Sequence, residues 1–365
     1  MSHIAIDARI INSSTGRYVE RLIHYLEKVD TENTYTILVR TKDLDFYKPT
    51  NPRFVIEEAN FSDYSFNEQL GLLKLLNKLK PDLVHFCMPQ QPILYRGKHV
   101  TTVHDLSLLK TYNSDKNWLV FHAKQLVGRF VFKIISRTSD YIFVPTKFTQ
   151  EDLEKFTSSA KGKTILTYES ADKLHAGKTK KYKTGFKQYI LYVGQQSDYK
   201  NIRRLGDAHQ KLLRKHPDLG LVLVGKLNQS AQNNQAYFDD KKYKNIHFTG
   251  FVSDQERDWL YENCAAYIFP SLMEGFGLPG LEAMHYGAPV ISSNATCLPE
   301  VYEEAAHYFN PYNSSHIARA IDDVLSDTKL RNKLIKQGSM QVKKYSWERM
   351  AKQTLAGYKR ALHKK

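Results

Sequence analysis

The chain has 365 residues, of which 42% are hydrophobic and 25% charged, and its formal net charge at pH 7 is +15. This composition is ordinary for a soluble globular protein, and the length predicts two domains rather than one. No apolar run approaches the roughly 20 residues that a membrane-spanning helix needs, and the three cysteines lie too far apart for a metal or redox motif.

The positive charge suits nucleic acid, an anionic membrane surface or a phosphorylated small molecule as the partner. A lysine-rich solvated surface is the alternative explanation. The lysines are scattered apart from one run at 177–187, and no nucleic-acid-binding motif is present, so we do not expect nucleic acid as a partner. The N-terminus shows no signal peptide, and a reducing cytoplasm fits best.

Short β-rich apolar runs alternate with longer segments of helical period along the chain. Strands are predicted at 3–10, 35–40, 82–86, 99–105, 141–146, 163–168, 189–194, 219–225, 245–251, 265–271 and 288–293. Helices are predicted at 17–28, 68–79, 117–138, 147–156, 202–215, 254–263, 280–286, 314–325, 328–344 and from 347 to about 363. The alternation is typical of parallel α/β units, and we expect two doubly wound, Rossmann-like domains that face an interdomain cleft.

One segment, 173–187, breaks this alternation with lysines, glycines and threonines, and we predict that it links the two domains. The domains are then residues 1–172 and 188–346. The last helix, within 347–365, is expected to pack back on the first domain. Ligands of open parallel sheets bind beyond the carboxyl ends of the strands, and the unusual loops of this chain follow such ends.

Two carboxylates flank a tight turn at 272–283, LMEGFGLPGLEA. Pro279 suits the first turn of a helix, and Gly277 lets the backbone approach a ligand at the helix start. Such a turn attracts phosphate, and Glu274 and Glu282 can each accept hydrogen bonds from sugar hydroxyl groups on either side of a diphosphate. A capped structural turn with two solvated glutamates is the alternative.

The stretch EGFGLPGLEA resembles the Glu-x7-Glu motif of the retaining glycosyltransferases of family 4, which have the GT-B fold. The resemblance covers nearly the whole chain and is most specific from about 189 to 350. It implies hexose transfer from a nucleoside diphosphate sugar to a glycan or lipid-linked acceptor in cell-surface polysaccharide synthesis, with no cofactor and no metal. The acceptor then belongs to the first domain and the donor to the second. The bacterial mannosyltransferase branch favours GDP-mannose, and UDP-linked hexoses stay open.

The resemblance also assigns roles to single residues. It implies that Glu274 binds the donor sugar near its anomeric carbon, that His104 lies beside this sugar, and that Lys200 neutralises the departing diphosphate. These three are the predicted catalytic residues. The further donor-binding residues that it implies are Gly16, Arg17, Arg204, Gly225, Val252, Phe276, Gly277, Leu278 and, on the ribose, Glu282. A satisfied structural histidine is the alternative for His104.

Two positions depart from the family pattern. Tyr199 stands where the nearest branch has an arginine, and Ser14 replaces a glycine in the loop that precedes Arg17. Arg203 or Arg204, one helical turn after Lys200, is the predicted substitute for the missing arginine, with a solvated helix face as the alternative. For the loop at Ser14, an ordinary capped helix start is the alternative.

The predicted helix at 118–137 has an apolar stripe and a basic stripe, the latter formed by Arg129, Lys133 and Arg137. Such a helix can rest on an anionic membrane from the cytoplasmic side, and a domain helix with one wet face is the alternative. Three other functions stay open: a sugar-nucleotide epimerase or phosphorylase, a non-catalytic sugar-nucleotide binder, and, on charge alone, a nucleic-acid-binding protein.

Overall fold

The structure is a computed structural model that describes residues 1–13, 15–62, 65–111, 118–172 and 179–364. The chain divides into two compact units. Unit 1 comprises Met1–Leu109, Lys124–Glu169 and Ser346–Lys365, and unit 2 comprises Lys110–Ala123 and Ser170–Tyr345. Each unit is built on one parallel sheet.

The strands in the described residues follow one another in chain order. They are β1 (His3–Asp7), β2 (Thr34–Val39), β3 (Phe54–Glu58), β4 (Leu83–Phe86), β5 (His99–Thr102), β6 (Tyr141–Val144), β7 (Thr164–Leu166), β8 (Gln188–Val193), β9 (Leu219–Val224), β10 (Ile246–Gly250), β11 (Ala266–Phe269), β12 (Val290–Ser293) and β13 (Ala306–Phe309). Strands β1 to β7 form the sheet of unit 1, and β8 to β13 form that of unit 2.

The α-helices of the same residues separate the strands. They are α1 (Gly16–Val29), α2 (Leu73–Leu79), α3 (Ser107–Lys110), α4 (Trp118–Thr138), α5 (Lys147–Phe156), α6 (Ile202–Leu212), α7 (Gln229–Asp240), α8 (Asp254–Asn263), α9 (Leu278–His285), α10 (Leu298–Tyr302), α11 (Ser314–Ser326), α12 (Thr328–Gln341) and α13 (Trp347–His363). A π-helical turn, Glu68–Leu72, leads into α2, and short 3₁₀ turns lie at Thr41–Asp43, Ser158–Ala160, Asp198–Lys200, Glu303–Ala305 and Val342–Lys344.

Both sheets are doubly wound, as predicted. All pairs of neighbouring strands are parallel, in the order β3-β2-β1-β4-β5-β6-β7 in unit 1 and β10-β9-β8-β11-β12-β13 in unit 2. The order reverses between β1 and β4 in unit 1 and between β8 and β11 in unit 2. Doubly wound sheets bind their ligands at the carboxyl ends of the strands at this switch point.

The alternation of side chains along the strands of unit 1 identifies what covers each face of its sheet. Val84 and Phe86 of β4 pack against the π turn and α2, while His85 between them contacts Tyr358 of α13. In β6, Phe143 also contacts Tyr358. Its neighbours Ile142 and Val144 pack in one cluster with Phe132 and Ile135 of α4. Helices α2 and α4 therefore cover one face of the sheet, and α13 packs on α1 and covers the other.

Each of the predicted strands is present, but two further strands and the helices α3, α7 and α10 were not predicted. Strands β3 and β13 lie at sheet edges, as do β7 and β10, which were predicted. Helix α7, with the sequence QSAQNNQAYFDD, lacks an apolar stripe. Its start is marked instead by Asn228, whose side chain accepts a hydrogen bond from the Ala231 N–H. The predicted linker lies in part outside the described residues, and its residues 179–187 belong to unit 2.

Candidate active site

The switch point of unit 2 holds a charged pair. The chain leaves β8 at Val193, turns, and reaches Lys200 just before α6, while Glu274 follows the end of β11 at Phe269. The Lys200 Nζ lies 2.6 Å from Glu274 Oε1, and the two side chains are 15% and 12% exposed. Two residues 74 positions apart are therefore brought together because β8 and β11 are neighbours.

The surroundings of Lys200 favour its charged form. Burial lowers the pKa of Lys200, but the negative charge of Glu274 and the nearby tyrosines outweigh it and raise this pKa above its ordinary value. The Nζ lies 4.9 Å from the ring centre of Tyr199 and 5.9 Å from that of Phe269, which are cation–π distances. Tyr199, which stands in the place of the arginine of the family pattern, therefore contacts Lys200.

Helix α9 begins directly after this pair, and no side chain caps it. Gly277 at its N-cap has a φ of +99°, and a Cβ there would lie 2.5 Å from the Tyr302 hydroxyl oxygen. That hydroxyl donates a hydrogen bond of 2.5 Å to the Gly277 carbonyl and fixes the turn. Phe276 is buried edge-on against Tyr345, and Leu278 opens the helix. Pro279 has no N–H and the Gly280 N–H donates to the Gly277 carbonyl over 3.2 Å, so the Leu278 N–H is the group that this helix start offers an anion.

Glu282 lies one turn into α9 and is held by α8. The Tyr261 hydroxyl donates to Glu282 Oε2 over 3.3 Å, and the Tyr261 ring stacks in parallel on Tyr286. Burial lowers the pKa of Arg257 on α8, but Glu282 and the neighbouring aspartates raise it above its ordinary value. Sequence reasoning did not identify Tyr261, since its contact with Glu282 depends on the packing of two helices.

Three glycines mark the carboxyl ends of neighbouring strands. Gly194 follows β8, Gly225 follows β9, and Gly250 ends β10. The Gly225 N–H donates to the Gly250 carbonyl over 3.3 Å, and a Cβ on Gly225 would overlap the Gly194 carbonyl oxygen. This edge is therefore bare backbone, and Val252, two residues after Gly250, is buried. The endings YVG, LVG and FTG contain this signal, but Gly194 was not singled out from the sequence.

The two arginines of α6 contact groups other than Glu274. Arg204 donates to Asn201 Oδ1 over 2.5 Å and to the Pro311 carbonyl over 3.4 Å. Arg203 donates to Asn234 Oδ1 over 3.2 Å and lies over a tyrosine ring. Both arginines line a cavity of about 340 Å³ together with residues of α7.

The predicted site residues of unit 1 lie near the carboxyl ends of β1 and β5. Gly16 and Arg17 are the first two residues of α1, and Thr15 before them makes no side-chain cap. Ser14 lies outside the described residues. His104 is 14% exposed, with Nδ1 3.2 Å from Glu169 Oε1 and Nε2 3.1 Å from the Cys87 carbonyl oxygen. Both ring nitrogens of His104 thus have protein partners, and Glu169 was not singled out from the sequence.

Two features are absent from the described part of the chain. Among its side chains, no group of three or more His, Cys, Asp or Glu residues could hold a metal ion. None of its helices is long and apolar enough to span a bilayer.

The comparisons with known proteins agree with the sequence resemblance. Residues 177–341 match the family described as Glycosyl transferases group 1, and residues 15–166 match Glycosyltransferase Family 4. O-antigen chain mannosyltransferase B of Escherichia coli is 28% identical over 281 residues, which are 71% of this chain and 70% of that protein. The serotype-specific mannosyltransferase WbdA of Escherichia coli is 29% identical over 280 residues, which are 73% of this chain but 34% of WbdA.

A solved structure extends the likeness to the fold. Anabaena HepE in complex with UDP-glucose superposes with a TM-score of 0.72 over 99% of this chain and 100% of that one, at 15% identity. The predicted GT-B fold is confirmed, and neither an epimerase nor a non-catalytic binder is favoured. With a matching family along both of its halves, the chain is a glycosyltransferase that belongs to family 4.

Proposed function

We propose that the protein transfers mannose from a nucleoside diphosphate mannose, GDP-mannose first, to a glycan or lipid-linked acceptor of a cell-surface polysaccharide. The observation that carries the proposal is the pair of Lys200 and Glu274, 2.6 Å apart at the switch point of unit 2. The names of the two Escherichia coli relatives support mannose as the sugar. The UDP-glucose bound to HepE supports a nucleoside diphosphate sugar as the donor.

The chemistry follows from charge. Breaking the bond between the anomeric carbon and the phosphate oxygen leaves negative charge on the diphosphate. Lys200 and the uncapped start of α9 supply positive charge at that position. Glu274 accepts hydrogen bonds from sugar hydroxyl groups, and Glu282, oriented by Tyr261, accepts them from the ribose.

We propose further that the reaction retains the anomeric configuration and needs no metal ion. The acceptor oxygen forms its bond to the anomeric carbon on the side from which the diphosphate leaves, and the leaving phosphate oxygen takes the acceptor proton. No side chain forms a covalent bond with the sugar. The ion pair of Glu274 with Lys200 supports this, because it keeps the carboxylate engaged with a cation.

Donor turnover with lipid-linked glycans from a mannan-producing bacterium tests the proposal. We expect that GDP is released from GDP-mannose only when the acceptor is present, and that this release persists in EDTA. NMR of the product should show an α-linked mannose. Turnover of UDP-glucose and not of GDP-mannose would show that the donor is a UDP-linked hexose. Loss of activity in EDTA would refute metal independence, and a β-linked product would refute retention. No turnover with any donor would refute the proposed transfer.

We also propose that unit 1 contacts an anionic membrane through α4, at the cytoplasmic face. Leu126, Val127 and Phe130 are each more than half exposed, and Arg129 and Lys133 beside them are exposed too. An exposed apolar stripe flanked by cations is typical of helices that lie on anionic bilayers. Co-sedimentation with vesicles that contain phosphatidylglycerol at low salt tests this contact, and an absence of binding would refute it.

A further inference from the structure

A second exposed apolar surface lies on unit 1, at the π-helical turn. Phe66 and Leu70 are 89% and 62% exposed, and Leu94, in the loop after β4, is 55% exposed. These three residues are referred to below as the π-turn patch. They share one surface, because the amide of Gln69 accepts from the Ile93 N–H and donates to a carbonyl of the same loop, each over 3.0 Å.

The backbone under the π-turn patch is firmly held. Leu72 is fully buried in the core beneath the turn. Glu68 is 1% exposed and accepts a hydrogen bond of 2.9 Å from Arg9. The inner side of the turn is therefore fixed by packing and by an ion pair, and its apolar outer side chains point to solvent in a defined place. Such π turns often occur at functional sites.

The π-turn patch and the exposed stripe of α4 lie on the same side of unit 1. The side chains of β4 and β6 that point to α2 and α4 alternate with His85 and Phe143, which contact α13 on the opposite face. One face of the sheet therefore carries both exposed apolar surfaces. The patch lies at the carboxyl end of β4, next to the switch point of this sheet.

The exposed charges on residues 65–80 and on helix α4 have one sign. Between residues 65 and 80 the only carboxylate is the buried Glu68, while Lys74 and Lys78 are exposed. Helix α4 contains no Asp or Glu, and it carries exposed Arg129 and Lys133. Exposed apolar side chains with cations and no exposed carboxylate match the surface of an anionic bilayer, where each cation adds to the attraction.

We infer that the π-turn patch is a second membrane contact, which docks unit 1 on an anionic phospholipid bilayer together with α4. This inference rests on the proposed contact of α4 and adds a separate set of residues to it. Two contacts on one face fix the orientation of the unit on the bilayer, which a single helix does not. They also hold the carboxyl ends of β1 and β4 against the membrane, where a lipid-linked acceptor is found.

Vesicle co-sedimentation of the full chain with the double variant Phe66→Ser, Leu70→Ser tests the inference. Loss of two exposed apolar side chains from a bilayer contact is expected to weaken partitioning into phosphatidylglycerol vesicles at least about tenfold. Met340→Ser, which removes a half-exposed apolar side chain from unit 2, is the control and should bind like the wild type. Because Phe66 and Leu70 are both exposed, we expect no change in melting temperature for the double variant.

Phe66→Trp provides an independent readout, since its added fluorescence should shift to the blue on anionic vesicles and not on phosphatidylcholine vesicles. Full vesicle binding by the double variant, or no blue shift of Phe66→Trp, would overturn the inference. If Phe130→Ser then abolishes binding, the contact through α4 still holds. Failure of the wild type to bind anionic vesicles would overturn both contacts. Equal binding to neutral and anionic vesicles would overturn the anionic preference. Glycosyl transfer to a water-soluble acceptor is unaffected by any of these outcomes.

Discussion

A largely buried cation lies near the switch point of each unit, Arg9 in unit 1 and Lys200 in unit 2, and the two cations differ in the donors that they have left. Arg9 donates to both oxygens of Asp7, to Glu68, and to the carbonyls of Phe61 and Gln90. These contacts use all five N–H donors of a guanidinium. Arg9 therefore has a structural role in unit 1 and has no donor left for a ligand.

Lys200 is held by much less. Of the three donors of an ammonium, one goes to Glu274, and no second acceptor for Lys200 occurs among the residues that the structure describes. Its remaining donors and the uncapped start of α9 are available to a diphosphate. Ion pairing alone therefore does not identify a site, because the number of donors left over separates a structural cation from a ligand-binding one.

The largest effect is expected at the saturated cation. Arg9→Met leaves Asp7 and Glu68 buried without a cation, which should lower the free energy of unfolding of unit 1 by about 3–5 kcal/mol. Chemical denaturation measures this loss, with Arg214→Met, at an exposed arginine, as the matched control. If Arg9→Met lowered the free energy of unfolding by less than Arg214→Met does, Arg9 would not have the structural role assigned to it.

Lys200→Met should show the opposite sensitivity. Losing one positive charge at the leaving diphosphate is expected to lower kcat by about 10²–10³-fold, while stability changes less than in Arg9→Met because this pair reaches water. Donor turnover and melting temperature are measured on the same samples. Wild-type turnover in Lys200→Met would contradict the assignment of Lys200.

Each unit also contains a buried histidine that makes its stability depend on pH. Burial lowers the pKa of His85 in unit 1 to about 3 and that of His209 in unit 2 to about 4. Both are neutral in the folded protein and take up protons on unfolding below about pH 6.5. Their stability contribution is complete above that pH and is lost as pH falls, by about 2 kcal/mol for each between pH 7 and pH 5. Denaturation of His209→Gln at both pH values should show a smaller loss than the wild type, and an equal loss would contradict this.

The smallest effect is expected at Tyr261. Tyr261→Phe keeps the ring stack and removes one hydrogen bond to Glu282, which should weaken binding of a nucleoside diphosphate about fivefold. The loss should vanish for a 2′,3′-dideoxy nucleotide, because the effect acts through the ribose. Tyr189→Phe, which removes a buried hydroxyl bonded to the Leu260 carbonyl, is the control. An equal loss for both nucleotides would show a purely structural role.

Much of the fold could be predicted from the sequence, because strands that are buried on both faces of a sheet need continuous apolar runs. Helices α5 and α8 begin and end at the predicted residues, and their starts are fixed by Thr146 and Ser253, which cap them through short-range hydrogen bonds. Strands β3 and β13 were missed although β7 and β10, at the other two sheet edges, were predicted, and the polar helix α7 was missed because it has no apolar stripe.

The site was predictable in its residue types and not in its pairings. The Glu274 turn and Lys200 were identified from local patterns, whereas their contact requires the order of β8 and β11. The hydrogen bonds of Arg204 to Asn201 and of Tyr261 to Glu282 depend on helix packing in the same way. Local chemistry is present in the sequence, and the partner of each charge is decided by topology.

The most direct test of the central claim is the shift in melting temperature that GDP and UDP produce in the wild type, Lys200→Met and Arg214→Met. A nucleotide at a hundred times its dissociation constant adds about 2.7 kcal/mol to the folded state. We predict that GDP raises the melting temperature of the wild type and of Arg214→Met by several degrees, and that Lys200→Met loses this shift. An undiminished shift in Lys200→Met, or no shift of the wild type with either nucleotide, would contradict the claim that the free donors of Lys200 bind the diphosphate.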